Sequence, residues 1–266
     1  MGEVNAFAVW IIQSLGADER QTGQNLYDDV LKLKRFKEEI LTVELTNVAT
    51  REEFFSALSD IKDKIVNEQW HVIVHIEAHG GDNGINLSSG EFVSWEELMY
   101  ATRPINIALK NYLIIHLAMC YGASILARLD PKDRAPFRAI IATANPIGER
   151  DLEDAFNAFY DEYLFSFDPK AGVDAMNAAL GENANKYYLI SVSQAFDGIL
   201  NPDRNLEHFL ATVRALALEE YNNNAEFRKI PFEVFVATRE QEVREDMAAV
   251  AANKPFFMME DLNKRG

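Results

Sequence analysis

The sequence holds a single cysteine, Cys120, among 266 residues. One cysteine excludes an internal disulfide, which fits a reducing compartment. Basic charge is also scarce: 26 Lys and Arg stand against 42 Asp and Glu, a formal net charge of −16. No Lys/Arg-rich run offsets this, so the surface repels nucleic acid and anionic membranes. A basic protein partner or substrate remains compatible. Long apolar runs are missing too. Ala6–Ile12 is too short to span a bilayer, and with Glu3 before it and no positive n-region it does not read as a signal peptide. Met1-Gly2 lacks the Ser or Thr at position 6 that myristoylation needs; Ala6 stands there. The expectation is a cytoplasmic protein with no membrane and no nucleic-acid partner. Repeats and low-complexity linkers are absent, and no spacing matches a zinc motif. No metal and no cofactor is expected.

What is present is 48% hydrophobic and 26% charged, the composition of a folded protein large enough for one domain with an added module. Strand and helix signals alternate over the first three-quarters. Strands read over Phe7–Leu15, Leu41–Thr46, Val72–Ala78, Tyr112–Met119, Ala139–Ala144 and Tyr187–Val192. Gln24–Arg35 reads as a helix with Leu26, Val30 and Leu33 on one face. Thr50 with Glu53 forms a capping box ahead of the stripe Phe54, Leu58, Ile61 and Ile65, and Ser94 with Glu97 forms another. Gly84–Trp95 reads as a hairpin around Ser88-Ser89-Gly90, and a helix is expected from Ala123. Leu152, Phe156, Phe159 and Tyr163 share a helix face, and Asp168-Pro169 starts a further helix that Gly181 ends. Strands separated by helices imply an α/β fold with a mostly parallel six-stranded sheet covered on both faces. From residue 199 the texture becomes helical. Residues 1–198 are read as the core, and 199–266 as a mainly helical C-terminal extension packed on it. Within that extension Pro231–Ala237 reads as a short extended piece, with Thr238 and Gln241 capping a last helix.

In an open α/β sheet, ligands bind at the carboxyl ends of the strands. Two strands here end in reactive residues. One runs into His79-Gly80-Gly81, the other into Cys120-Tyr121-Gly122. If they are parallel neighbours, one sheet edge presents an imidazole beside a thiol, the pair that nucleophilic catalysis needs. Backbone N–H groups after His79 and at Cys120 suit a developing oxyanion, and Gly80 leaves room for a substrate carbonyl. The competing reading makes Cys120 a small buried hydrophobe.

The run His75-Ile76-Glu77-Ala78-His79-Gly80-Gly81-Asp82-Asn83-Gly84, then Phe92-Val93-Ser94-Trp95, then Leu113 through Cys120-Tyr121-Gly122, resembles the caspase-like fold, a three-layer sandwich. Within it the sequence is similar to the bacterial CHAT cysteine peptidases, relatives of caspases and separases. The resemblance spans about Phe7 to Ser193. It implies peptide-bond hydrolysis through an acyl-enzyme, with His79 and Cys120 as dyad and Gly80 and Cys120 as oxyanion hole. The substrate would be a protein or peptide, no cofactor is implied, and a regulatory protein partner fits the helical extension. Bacterial relatives serve stress or antiviral programmes by cutting a partner such as a gasdermin. Arg20, near the first helix, is a candidate for an acidic P1 side chain, as in caspases. Ala118 stands two residues before Cys120, where caspases have Gln and metacaspases Asp. A small or apolar P1 is then compatible, with Glu77 or Asp82 as sources of charge. The alternative is an inactive caspase-like module that binds a partner protein.

His75 and His116 are read as hydrogen-bonded neighbours beneath the dyad; a metal site from His75, Glu77 and His116 is the weaker reading. Trp10, Trp70 and Trp95 are read as core or strand-edge residues, with Trp95 also a candidate to line a subsite. Glu149, Asp151, Glu153 and Asp154 are read as charge complementing a helix dipole.

Overall fold

The computed structural model describes residues 6–35, 41–181, 185–200 and 206–263. Met1, Gly2 and Glu3, on which the leader and myristoylation readings rest, lie outside them. The strands are β1 (Ala6–Gln13), β2 (Leu41–Asn47), β3 (Trp70–Glu77), β4 (His79–Gly81), β5 (Gly84–Asn86), β6 (Phe92–Ser94), β7 (Ile114–Ala118), β8 (Ala139–Ala142) and β9 (Tyr188–Ser191). Six of them form one sheet in the order β2-β1-β3-β7-β8-β9. All neighbours are parallel except β9, which runs antiparallel to β8.

Strand alternation divides the core into two layers. Ala8, Trp10, Ile12, Val72, Val74 and Ile76 pack on one face, against α3 (Arg51–Glu68) and α4 (Trp95–Ala108). Val9, Ile11 and Ile73 pack on the other, against α5 (Glu149–Ser166) and α6 (Pro169–Ala179). Also on that side, α1 (Thr22–Asn25) and α2 (Lys32–Arg35) flank a π-helical turn, Leu26–Leu31. Fully buried side chains such as Phe54 on the first face and Phe159 on the second stabilise the fold by about 1.5–3 kcal/mol apiece. Both capping boxes form, Thr50 with Glu53 and Ser94 with Glu97.

The expected hairpin over Gly84–Trp95 forms, β5 pairing antiparallel with β6 around Ser88-Ser89-Gly90, and β4 adds a third strand to it. The helix expected from Ala123 is a 3₁₀ helix, Gly122–Arg128. One local reading needs correction. After α7 (Val192–Ile199) and α8 (Leu206–Asn223), the segment read as extended is the start of α9 (Phe232–Ala251). Thr238 is therefore inside a helix, its hydroxyl donating to the Val234 carbonyl, and caps nothing. The reason is tertiary: Phe235 is buried, with its ring against those of Tyr221 and Phe227. Beyond it, α10 (Lys254–Phe257) and α11 (Glu260–Asn263) return to the main core. Phe257 and Met259 are wholly buried there, and the Phe257 ring lies tilted against that of Phe196 with centroids 4.6 Å apart.

Candidate active site

The register of the central strands brings the two reactive residues together. β3 and β7 are parallel neighbours whose last paired positions are Glu77 and Ala118. His79 and Cys120 each lie two residues beyond that pair. Both therefore leave the same edge of the sheet, and both line one cavity there.

The backbone around Cys120 is tightly built. Tyr121 takes a left-handed conformation, φ 56°, and turns the chain away from the strand. Gly122 then passes against the sheet; a Cβ there would fall 2.8 Å from that of Leu117. Gly80 is closer still, since a Cβ would lie 2.1 Å from the Cys120 carbonyl oxygen. Only glycine allows the β4 backbone to lie against the cysteine peptide. The Cys120 side chain is half-buried, and its sulfur meets the loop before α5. The Ile147 N–H donates to Sγ at 3.4 Å, and the thiol donates to the Ile147 carbonyl at 3.7 Å.

His79 is more open, with 57% of its side chain exposed. Its Nε2 bonds the Glu19 carboxylate at 2.7 Å. A second Glu19 oxygen accepts the Gly16 N–H at 2.5 Å. The Gly16 amide, then the bond to His79, hold the Glu19 carboxyl below its ordinary range.

A cavity of about 90 Å³ opens between these groups. Leu15, Ala118, Met119, Ile147 and Leu152 supply apolar walls, and Arg20, Glu77, His79, Cys120 and Glu149 supply polar ones. Arg20 thus reaches the cavity, but its guanidinium is ion-paired with Glu153, which also accepts from Asn25. Asp82 is not among the lining residues; it sits at the β4–β5 turn, where its carbonyl accepts the Trp95 indole N–H. Trp95 is fully buried in the core, so it lines no subsite. Trp10 is also buried and packs near Trp70, with ring centroids 6.5 Å apart. A larger apolar hollow of about 720 Å³ lies between α3 and α4, around Phe55, Tyr100 and Pro104, and includes neither His79 nor Cys120.

Beneath the cavity runs a buried polar chain. Thr22 donates to Glu77, Glu77 bonds His75 Nε2 at 3.0 Å, and the Tyr160 hydroxyl bridges His75 Nδ1 at 3.2 Å and His116 Nδ1 at 2.8 Å. The two histidines are therefore hydrogen-bonded through Tyr160 and not to each other, with their rings edge to face at 5.8 Å. A carboxylate only accepts, so His75 Nε2 carries its hydrogen; the Tyr160 hydroxyl lies between the two Nδ1 atoms, able to donate to one and accept from the other. Burial, then the neighbouring His75, keeps His116 well below the usual histidine range, hence neutral. Burial pushes the Tyr160 phenol up in the same way. Tyr187 lies close enough for Glu77 and Cys120 to add to the upward push of burial on its phenol, and its hydroxyl has no partner among the described residues. Among those residues no three His, Cys, Asp or Glu side chains are placed to hold a metal ion.

Sequence reasoning missed Glu19, Ile147, Tyr160 and Tyr187. Tyr160 carried a signal, because it sits beside Phe159 on the helix that faces His75 and His116. Glu19 and Ile147 lie in loops whose paths no periodicity reveals.

No family model matches the sequence, and no curated protein matches it. The structure does have a solved counterpart. It is similar to the initiator caspase Dronc of Drosophila, with a TM-score of 0.51 over 71% of this chain and 80% of that one, at 10% sequence identity. That likeness is one of architecture: the α/β sandwich of this chain is a caspase-like fold. No helix among the described residues is long and apolar enough to cross a membrane.

Proposed function

We propose that the chain is a cysteine endopeptidase in which Cys120 is the nucleophile and His79 its base. The observation that carries this reading is the β3–β7 register, which sends both residues from neighbouring strand ends into one cavity. In the proposed reaction His79 takes the thiol proton, and Sγ attacks the scissile carbonyl. The N–H groups of Gly80 and Cys120 receive the oxyanion. His79 then returns its proton to the leaving amine, and water hydrolyses the thioester. Residues 1–198 would be the peptidase core and 199–266 an extension that recruits or regulates a protein partner. The finer assignment is a CHAT-type bacterial enzyme of the cytoplasm, cutting a gasdermin-like or other protein in a stress or antiviral response.

Cleavage of a proteome-derived peptide library by purified protein tests the reading. Cys120→Ala is expected to abolish cleavage and keep the fold; undiminished cleavage by that variant would sink the proposal. The same library reports the P1 residue, for which Arg20, Glu77 and Ala118 are the candidate determinants. One observation favours the second reading, an inactive partner-binding module: the sulfur is bonded to both the N–H and the carbonyl of Ile147. A Cys120 thiol that reacts with iodoacetamide no faster than free cysteine would support that module.

A further inference from the structure

We infer that Glu19 is a positioning residue, a third member that holds the His79 imidazole by Nε2 and leaves Nδ1 to serve Cys120. This rests on the peptidase reading of the same cavity. An imidazole has two nitrogens, and the Glu19 carboxylate at 2.7 Å takes one of them. A carboxylate accepts and cannot donate when ionised, so Nε2 carries the hydrogen and Nδ1 the lone pair. Nδ1 is then the only ring atom able to take the thiol proton. During attack that proton passes from Sγ to Nδ1, and Nε2–H stays on the ring, bonded to Glu19. Glu19 gains no proton; its charge stabilises the imidazolium that forms.

The loop between β1 and α1 is built to hold this carboxylate. Gly16 N–H clamps one oxygen at 2.5 Å, and the Glu19 N–H donates back to the Gly16 carbonyl at 3.1 Å. The Gln21 amide donates to the carbonyls of Gly16 and Glu19 at 2.7 and 3.0 Å. Gln21 is in turn held by Gln13, at 2.8 Å, and Gln13 lies 2% exposed at the end of β1. The clamp therefore runs from the sheet to Glu19 through side-chain amides. Arg20, Glu77 and Glu149 also line the cavity with His79, but Arg20 is paired with Glu153 and Glu77 with Thr22 and His75. Glu19 is the carboxylate in hydrogen-bond contact with the imidazole.

Three variants separate charge from orientation. Glu19→Gln keeps an acceptor for Nε2–H and loses the charge; Glu19→Ala loses both; Glu19→Asp keeps the charge on a shorter arm. On a Cys120-dependent peptide substrate, kcat should fall about 10-fold in Glu19→Gln and about 100-fold in Glu19→Ala, with KM within about twofold and partial recovery in Glu19→Asp. Ring ¹⁵N spectra, with His79 assigned through His79→Gln, should show the Nε2–H tautomer in the parent and its loss in Glu19→Ala. Equal or higher activity in Glu19→Ala would overturn the inference and make the contact a bystander or a latch. An unchanged tautomer would overturn it as well. The spectra need no turnover, so they decide the role of Glu19 toward His79 even where a parent without cleavage sinks the peptidase reading.

Discussion

Replacing Gly80 by alanine probes the contact on which the site depends. The new methyl would sit 2.1 Å from the Cys120 carbonyl oxygen and 2.8 Å from Met119 Cγ, where real Cβ contacts stay beyond 3.0 Å. Met119 is a flexible side chain and can turn aside. The carbonyl is backbone and cannot, so β4 and the Cys120 peptide must part by roughly 1 Å. Overpacking of this kind costs about 1–3 kcal/mol. At about 2–4 °C per kcal/mol for a chain approaching this size, Tm should fall by roughly 2–12 °C. On the proposed peptidase reading, a displacement of about 1 Å between His79 and Cys120 should slow turnover by about 100-fold. The assay pairs a thermal melt with the rate of Cys120 alkylation and of peptide cleavage. Gly81→Ala is the control, since its Cβ would meet nothing nearer than the Gly84 carbonyl at 3.9 Å. If Gly80→Ala melts and reacts like Gly81→Ala, then β4 does not brace Cys120 and the reasoning fails.

Tyr160→Phe and Tyr187→Phe make the same chemical change with opposite expected signs. The first strands two buried histidine nitrogens and should destabilise by about 1–3 kcal/mol; the second removes a buried hydroxyl without a partner and should be neutral or stabilising by up to about 1 kcal/mol, both read by urea denaturation. His116 is held neutral in the fold while the unfolded chain takes up its proton near pH 6.5, so stability should drop as pH falls below that point. His116→Phe should flatten this part of the pH–stability curve, and an unchanged slope would show that other groups cause it. Arg51 and the Ser94 amide lower the Glu97 carboxyl to about 2, so its contribution is present above its unfolded value of 4.5 and is lost as pH falls toward 2. The stability gap between parent and Glu97→Gln, which keeps the capping position, should accordingly close between pH 4.5 and 2.

The parts legible in the sequence were those with local or strand-end signatures. Thr50 with Glu53 and Ser94 with Glu97 announce their helices because a capping box closes within four residues. That His79 and Cys120 line one cavity was legible because parallel strands align their carboxyl ends. The misread α9 shows the converse. Phe232-Glu233-Val234-Phe235-Val236 has alternation and β-branching, yet Phe235 is claimed by the rings of α8 and the following turn. The Glu19 clamp and the Tyr160 bridge depend on loop paths and on one helix crossing two strands, which no one-dimensional pattern encodes.

The burial of Phe257 and Met259 sets an order of events on the ribosome. The Phe257 carbonyl accepts the Ala135 N–H, and that of Met258 accepts the Asn111 amide, which sits just before the strand bearing Cys120. A nascent chain that has exposed β7 but not yet residue 257 leaves those two donors to water and Phe196 without its ring partner. The segments that flank the strand, at Asn111 and Ala135, are therefore fastened late in synthesis, while the strand itself can already pair with β3 and β8. A ribosome stalled before residue 257 should hold a chain whose central sheet is paired but whose contacts at Asn111 and Ala135 are still open.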